Sequence, residues 1–353
     1  MQKTRRDFLQ QCSYGLLLSL VGAEALGQQH TCKNLSNKPI NVILSRNYRP
    51  TSPVDNDRNY EYRLREAVLK VIAAHYQGKM LPVWGKRFEE VELRKRITNI
   101  TYWILQSAQE YAQIYPVDPA WILAQIMAES FFYEFAVSPA LAVGICQITQ
   151  PTAEEYGLLC AGSRAEHAQS PYRFPELAHK ARVYYELRRK KRQFRQAKPA
   201  NFLTLEDALA ELVLGTQSTD PSAVMEQLQY MRTLRELDQQ RYEARDAFRS
   251  YLKANLQDRD IFDDADTAFL SDFDQRCTYR APIDVMIKIM ARALRARNGN
   301  ILAATAGYNA GLGNTRASGL YEPYGRIPEF GETITYLSKV LINYQEISRQ
   351  LEH

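Results

Sequence analysis

Asp118-Pro-Ala-Trp-Ile-Leu-Ala-Gln-Ile-Met-Ala-Glu129-Ser130 holds no ionisable side chain between its Asp and its Glu. Asp118 is a strong N-cap residue and Pro119 suits the first helical position. Ile122, Ile126 and Glu129 then fall on one helix face, and Leu123 and Met127 widen the apolar surface. The spacing predicts a buried helix whose first charge is Glu129, near the C-terminal end. A negative charge is disfavoured there by the helix dipole and by partial burial, so the carboxyl group is expected to hold its proton. A protonated carboxylic acid near neutral pH is the donor that glycosidic-bond cleavage requires. A glutamate in this place can also simply end the helix and turn to solvent.

Other chemistries find no support. There is no G-x-S-x-G elbow, no H-E-x-x-H and no P-loop. Gly311-Leu312-Gly313 follows a helical stretch rather than a strand, so a dinucleotide fold is not indicated. The five histidines are scattered, with His167 and His179 twelve apart, and no C-x-x-C is present. No metal centre and no cofactor is implied. The chain has 353 residues, 45% hydrophobic and 24% charged, which is ordinary for a globular protein. Its net charge of +5 is no nucleic-acid signature, though it suits work near an anionic polymer or surface.

The elements that must hold Glu129 are helices, because strand-type alternation is scarce throughout. Residues 26–57 are polar, with Pro39, Pro50 and Pro53, and read as an extended lead-in. Helical patterning begins near Arg58 and continues through Val91–Tyr115 to Glu129. Residues 161–276 differ in texture, with long charged helices, a basic run from Arg188 to Lys198 and an Asp-rich run from Asp258 to Asp274. The basic run could grip an anionic polymer but reads first as a solvated helix face, and the two runs could also pair with each other. The Asp run lacks the order of an EF-hand loop. After Cys277 ordinary globular patterning resumes. Cys160 and Cys277 flank the charged segment and could be joined by a disulfide at its base, the alternative being two separate buried thiols.

The amino terminus, Thr4-Arg5-Arg6-Asp7-Phe8-Leu9, is similar to the twin-arginine export consensus. The apolar stretch after it is too short to span a bilayer comfortably, and Ala23-Glu24-Ala25 offers a cleavage site. An ordinary export signal or an uncleaved anchor would fit the same residues. Of the five cysteines, Cys12 lies in this leader. Cys32, Cys146, Cys160 and Cys277 would remain after cleavage near Ala25. The mature chain is expected in the periplasm or beyond, with no stable membrane span.

Glu129-Ser130, Ala136-Val137-Ser138-Pro139, Val143-Gly144, Gln147 and Pro151-Thr152-Ala153 resemble the signature of the soluble lytic transglycosylases, goose-lysozyme-like enzymes of peptidoglycan. Gly307-Tyr308-Asn309-Ala310-Gly311 and Ile327-Pro328…Glu332-Thr333…Tyr336 resemble two further motifs of that family, in the same order. The resemblance implies an all-α, lysozyme-like domain with a cleft for an amino-sugar chain. It makes Glu129 the single catalytic acid/base, cleaving the bond between N-acetylmuramic acid and N-acetylglucosamine to leave a 1,6-anhydro end. Ser138, Gln147, Tyr308, Asn309, Glu332 and Tyr336 match substrate-binding positions, Ser138 the one that holds an N-acetyl group.

The chain departs from the family at Phe132-Tyr133-Glu134, at Cys146 and Thr149 where methionine is usual, by one extra residue at Glu329 or Phe330, and at Ile334. These departures bear on cleft shape more than on the reaction. The expected organisation is a signal peptide at 1–25, a partly helical extension at 26–91, a lysozyme-like domain from 92–160 and 277–350, and a charged helical insertion at 161–276. The partners implied are peptidoglycan glycan strands and, through the insertion, an envelope or secretion-apparatus protein. A hydrolytic muramidase, or a weakly active peptidoglycan-binding scaffold, are the alternatives.

Overall fold

Apolar side chains at helical spacing dominate the computed structural model, which describes residues 42–49, 57–162, 174–198, 213, 221–316 and 331–352. The helices are α1 (Asp57–Tyr76), α2 (Leu93–Tyr111), α3 (Pro119–Ser130), α4 (Gln150–Glu155), α5 (Pro175–Gln196), α6 (Pro221–Leu256), α7 (Asp264–Phe273), α8 (Arg280–Ala296), α9 (Ile301–Ala310) and α10 (Gly331–Leu351). Among the described residues strand pairing is limited to isolated bridges. The fold is all-α, as the sequence implied. The chain divides into two bodies, one running to Cys160 and resuming at Arg259, the other lying between Ala161 and Asp258.

In the first body α3 is the central element. It packs against α2 and α10, while α1 lies on α2 and α10, α8 on α2 and α9, and α9 on α10. Each surrounding helix turns one apolar stripe inward: Leu64, Val68 and Ile72 on α1, Leu93, Ile97, Ile100 and Ile104 on α2, and Ile283, Met286, Ile287, Met290 and Leu294 on α8. Burying each such side chain contributes about 1.5–3 kcal/mol. In α3 the stripe has become the whole circumference, and only Ala128 and Glu129 reach partial exposure.

Asp118 caps α3 as its sequence position implied. Its carboxylate accepts the Ala120 amide at 2.9 Å, and its other oxygen accepts the Tyr344 hydroxyl of α10 at 2.8 Å. Asp118 is fully enclosed, and burial pushes its carboxyl group up against the pull of these hydrogen bonds. Trp121 donates to Thr305 of α9 at 2.9 Å, and Asn343 of α10 donates to the Ala124 carbonyl at 3.2 Å. One short helix is thereby fastened to two others by side-chain hydrogen bonds.

The described part of the lead-in is pinned. Leu44 donates its amide to the Gly299 carbonyl at 2.9 Å and Ile301 donates to the Val42 carbonyl at 3.0 Å, while the Tyr115 hydroxyl donates to the Leu44 carbonyl at 2.6 Å. Backbone pairing of this kind leaves no trace in composition. The proposed signal peptide lies outside the described residues.

The second body is a helical hairpin. Phe194 stacks on Tyr230 with ring centroids 4.9 Å apart, Lys191 pairs with Asp238, and Tyr184 lies 6.4 Å from Phe248. Partner numbers rise on α6 as they fall on α5, so the two helices are antiparallel.

The sequence placed 259–276 in the charged segment, whereas the structure packs these residues into the first body. Leu270, Phe273, Asp274 and Arg276 are buried, and Gln275 exchanges two hydrogen bonds of 2.9 Å with the Leu159 backbone. The aspartates there serve as caps and ion-pair partners. Asp263 caps α7 through Ala265 and Asp266, and Arg259 pairs with Asp266 at 2.6 Å. Of the two readings of Cys160 and Cys277, the disulfide is not made. Both are buried thiols, as is Cys146.

Candidate active site

Glu129 occupies the last turn of α3, just before Phe131 ends the helix in the left-handed conformation at φ 52°. The loop that follows is heavily constrained. Phe131, Phe132, Leu141, Gly144 and Gln147 all take positive φ, a region that costs a non-glycine residue about 1–2 kcal/mol. Local hydrogen bonds hold it there. Ser138 donates its amide to the Ala142 carbonyl at 2.9 Å and Leu141 donates to the Ser138 carbonyl at 3.0 Å in a tight turn, Gly144 donates to the Ala136 carbonyl at 2.9 Å, and Val143 and Ile148 bond each other both ways at 3.2 Å. Backbone strain retained at this density is a feature of functional loops.

Two buried side chains clamp the loop from below. Ser130 donates to the Ile145 carbonyl at 2.9 Å. Arg276 donates to the Ile148 carbonyl at 3.1 Å and, at 3.4 Å, to that of Leu141. The Arg276 guanidinium is paired with Asp274 at 2.6 Å, with both side chains almost fully buried. Burial alone would lower the guanidinium, yet the adjacent Asp274 carboxylate holds it above its ordinary value. Gly144 fits against this strut because it lacks a side chain. A Cβ there would lie 1.8 Å from the Arg276 carbonyl oxygen.

Around Glu129 the structure brings together Tyr308, Tyr336 and Cys146. The Tyr336 phenol is buried, and burial together with the Glu129 charge pushes it well up. Its hydroxyl lies within hydrogen-bonding reach of the Glu129 carboxyl and of the Gln125 amide. Three polar side chains thus converge on one point in an otherwise apolar surrounding, the arrangement of a functional site. The Tyr308 hydroxyl donates to the Cys146 carbonyl at 2.7 Å, which ties α9 to the loop. Burial, and then the Glu129 charge, raise the Cys146 thiol. Cys146 is therefore an inert wall residue.

The remaining sequence-derived positions hold the frame. Asn309 accepts the Thr333 hydroxyl at 2.8 Å, joining α9 to α10. Ser138 Oγ accepts the Ala142 amide at 2.9 Å. Gln147 spends its amide protons on the carbonyls of Gly144 at 2.8 Å and Ala136 at 3.2 Å, so its own carbonyl oxygen is the group it can offer outward. Glu332 stands exposed in the first turn of α10, four residues before Tyr336 and so on the same face.

Glu134 departs from the family pattern in a way the structure explains. It is buried against Arg96 at 2.9 Å, and Arg96 lies over the Trp84 ring at 5.2 Å. Trp84 in turn donates to the Phe131 carbonyl at 2.8 Å. The pair is thus a second support of the loop.

Residues 106–194 match the Transglycosylase SLT domain. Comparison with curated proteins and with solved structures gives no match. The matched segment holds Glu129, Ser138 and Gln147, and it supports an SLT transglycosylase domain with the lysozyme-like α fold. Tyr308, Asn309, Glu332 and Tyr336 lie beyond it, and the structure brings Tyr308 and Tyr336 to Glu129 all the same. The sequence assigned no role to Asp274, Arg276 or Gln125, and Ser130 entered only as a motif residue beside Glu129. Ser130 and Gln125 flank Glu129 and could have been suspected as polar residues in a buried helix. Nothing local marked Arg276, whose targets lie more than a hundred positions earlier. Among the described residues no helix is long and apolar enough to cross a membrane.

Proposed function

We propose that this chain is a peptidoglycan lytic transglycosylase with Glu129 as its single acid/base. The observation that supports the reading best is the setting of Glu129. It is the one ionisable side chain of a buried helix, it is set among the Tyr308, Tyr336 and Cys146 walls, and it falls within the segment matching the SLT model.

Glu129 protonates the glycosidic oxygen between N-acetylmuramic acid and N-acetylglucosamine as the C1–O bond breaks. The carboxylate so formed takes the proton of the muramoyl 6-hydroxyl while that oxygen bonds to C1. The product ends in a 1,6-anhydro ring and no water is consumed. Two-carboxylate glycosidases place a second acid roughly 5–9.5 Å away as nucleophile or base. An internal hydroxyl needs none, so one carboxyl group among phenols, an amide and a thiol is sufficient. Tyr308 and Tyr336 line the cleft, and Ser138, Gln147, Asn309 and Glu332 position the sugar. The leader with paired Arg5 and Arg6 supports export by the twin-arginine route and action in the periplasm, to be checked by the mass of the mature chain after fractionation.

Mass spectrometry of muropeptides released from purified peptidoglycan tests the activity, beside a Glu129→Gln control. Anhydromuramic ends that vanish in the control are expected. Reducing ends that vanish would make the chain a hydrolase, and no release by either protein would sink the proposal.

A further inference from the structure

The first body carries an open groove of about 870 Å³ that none of the residues assigned above lines. Its walls come from the outer face of α2, the segment after α4, α7 and the first turn of α8. Its size falls within the roughly 300–1,000 Å³ range of ligand-binding pockets.

Its lining is chemically specific. Trp103 is partly exposed, with the Arg280 guanidinium 5.1 Å from its ring centroid, so the indole is held as a platform rather than left to swing. Beside it stand neutral hydrogen-bonding side chains, Gln106, Ser271 and Gln275 among them, with apolar strips from Leu158, Ile261 and Val285. Asp284 lies on the wall with each oxygen already accepting one hydroxyl, Tyr111 at 2.9 Å and Ser107 at 3.3 Å. A carboxylate has about four acceptor positions, so two remain, and the two hydroxyl donors fix the direction in which they point.

Chemistry of the walls points to the class of ligand. Glu110 and Asp284 stand beside Arg280 in the lining, and Arg292 and Lys288 lie just behind Tyr156 and Tyr111, so charge is close to balance and the groove offers no cluster of one sign to a charged ligand. A flat apolar face for the indole and hydroxyl donors for Asp284 are combined in a pyranose, and a neutral acetamido group suits the amide side chains.

We propose that this groove is a second glycan-binding site, taking neutral N-acetylated amino sugars and separate from the cleft at Glu129. The assignment rests on the reading that the substrate is a glycan strand. A second point of attachment on one polymer raises its effective concentration at the first without any new contact there. Retention on long strands should therefore depend on this groove more than turnover of short ones.

The probe is tetra-N-acetylchitotetraose, titrated calorimetrically into the full mature chain carrying Glu129→Gln. Two sites per chain are expected. Trp103→Ala should abolish one and leave the affinity of the other unchanged, and Asp284→Asn should weaken that same site about tenfold. Gln106→Trp fills the groove from an exposed position, so it answers even if Trp103→Ala folds poorly. A stoichiometry of one in the parent, or of two that survives both Trp103→Ala and Gln106→Trp, overturns the proposal. So does binding of an acidic stem peptide, rather than the sugar, that is lost in these variants. Because the titration uses an inactive protein, failure to release anhydromuramic ends from peptidoglycan would sink the proposed function while leaving Trp103-dependent sugar binding intact.

Discussion

The loop after Glu129 and the α5–α6 hairpin both depend on charged residues, and they use them in opposite ways. The loop is held from outside by buried charges distant in sequence. Arg276 reaches Ile148 across 128 positions, and Arg96 pairs with Glu134 across 38. In the hairpin most charge is at the surface, where pairs such as Glu176 with Lys180 follow helix spacing and are worth only tenths of a kcal/mol. Lys191, Asp238 and Arg241 are the partly buried exception. One region has a single geometry fixed by several independent supports, each costly to remove. The other is a pair of amphipathic helices that many sequences could form.

The sharpest way to separate function from support within the first region is Glu129→Gln. Glutamine keeps the size and partial exposure of the side chain but cannot give up a proton. Turnover on peptidoglycan should fall by at least 10²–10⁴-fold, with an unchanged melting temperature. A variant that lost turnover only because it melted early would move Glu129 from chemistry to architecture. Arg276→Met should show the converse. It leaves Asp274 buried without its counter-charge and removes the donor to Ile148, a loss of about 3–5 kcal/mol. Denaturant unfolding would register this directly. Gly144→Ala attacks the same contact from the other side, since its Cβ cannot share space with the Arg276 carbonyl. If either variant kept wild-type stability, the strut would not be what fixes the loop.

The contrast also explains what could be read in advance. Helix α3, its Asp118 cap and the partial exposure of Glu129 follow from period and composition, because a cap and an apolar stripe act within a few residues. Tyr308 and Tyr336 were legible only as pieces of a family pattern. Nothing periodic relates α9 or α10 to residue 129. Arg276 was illegible for a physical reason. Asp274-Gln275-Arg276 looks like the end of an acidic run, and only three-dimensional neighbours, the loop carbonyls of Ile148 and Leu141, turn it into a strut. Local composition likewise set the edge of the charged segment at 276, whereas packing through Leu270 and Phe273 draws it back to 258.

Arg96→Ala tests the second support and adds a pH signature. Burial holds the Glu134 carboxyl above its ordinary value despite the opposing pull of Arg96. The folded chain therefore binds that proton more tightly than the unfolded chain. Stability from this group is greatest below the ordinary carboxylate value near 4.3, and it declines as pH rises through the raised value. Removing Arg96 takes away the charge that limits the decline. The variant should lose about 3 kcal/mol at pH 8 and distinctly less at pH 5, read from unfolding curves at the two values. A loss independent of pH would mean that Arg96 acts through its packing on Trp84 rather than through Glu134.

The smallest effect is expected in the hairpin, from Lys191→Met. Lys191 is buried beside Asp238, and burial draws its ammonium group down. Part of what the ion pair contributes is thus already offset by desolvation. Methionine is similar in length and apolar, and Asp238 keeps Arg241 at 3.1 Å, so no charge is stranded. Replacing a buried pair by well-packed apolar atoms is often neutral, and the change in stability should stay within about 1 kcal/mol in either direction, with release of muropeptides unaltered. A loss as large as that of Arg276→Met would erase the distinction between the two regions. It would show that the hairpin, too, depends on one charge held in one place.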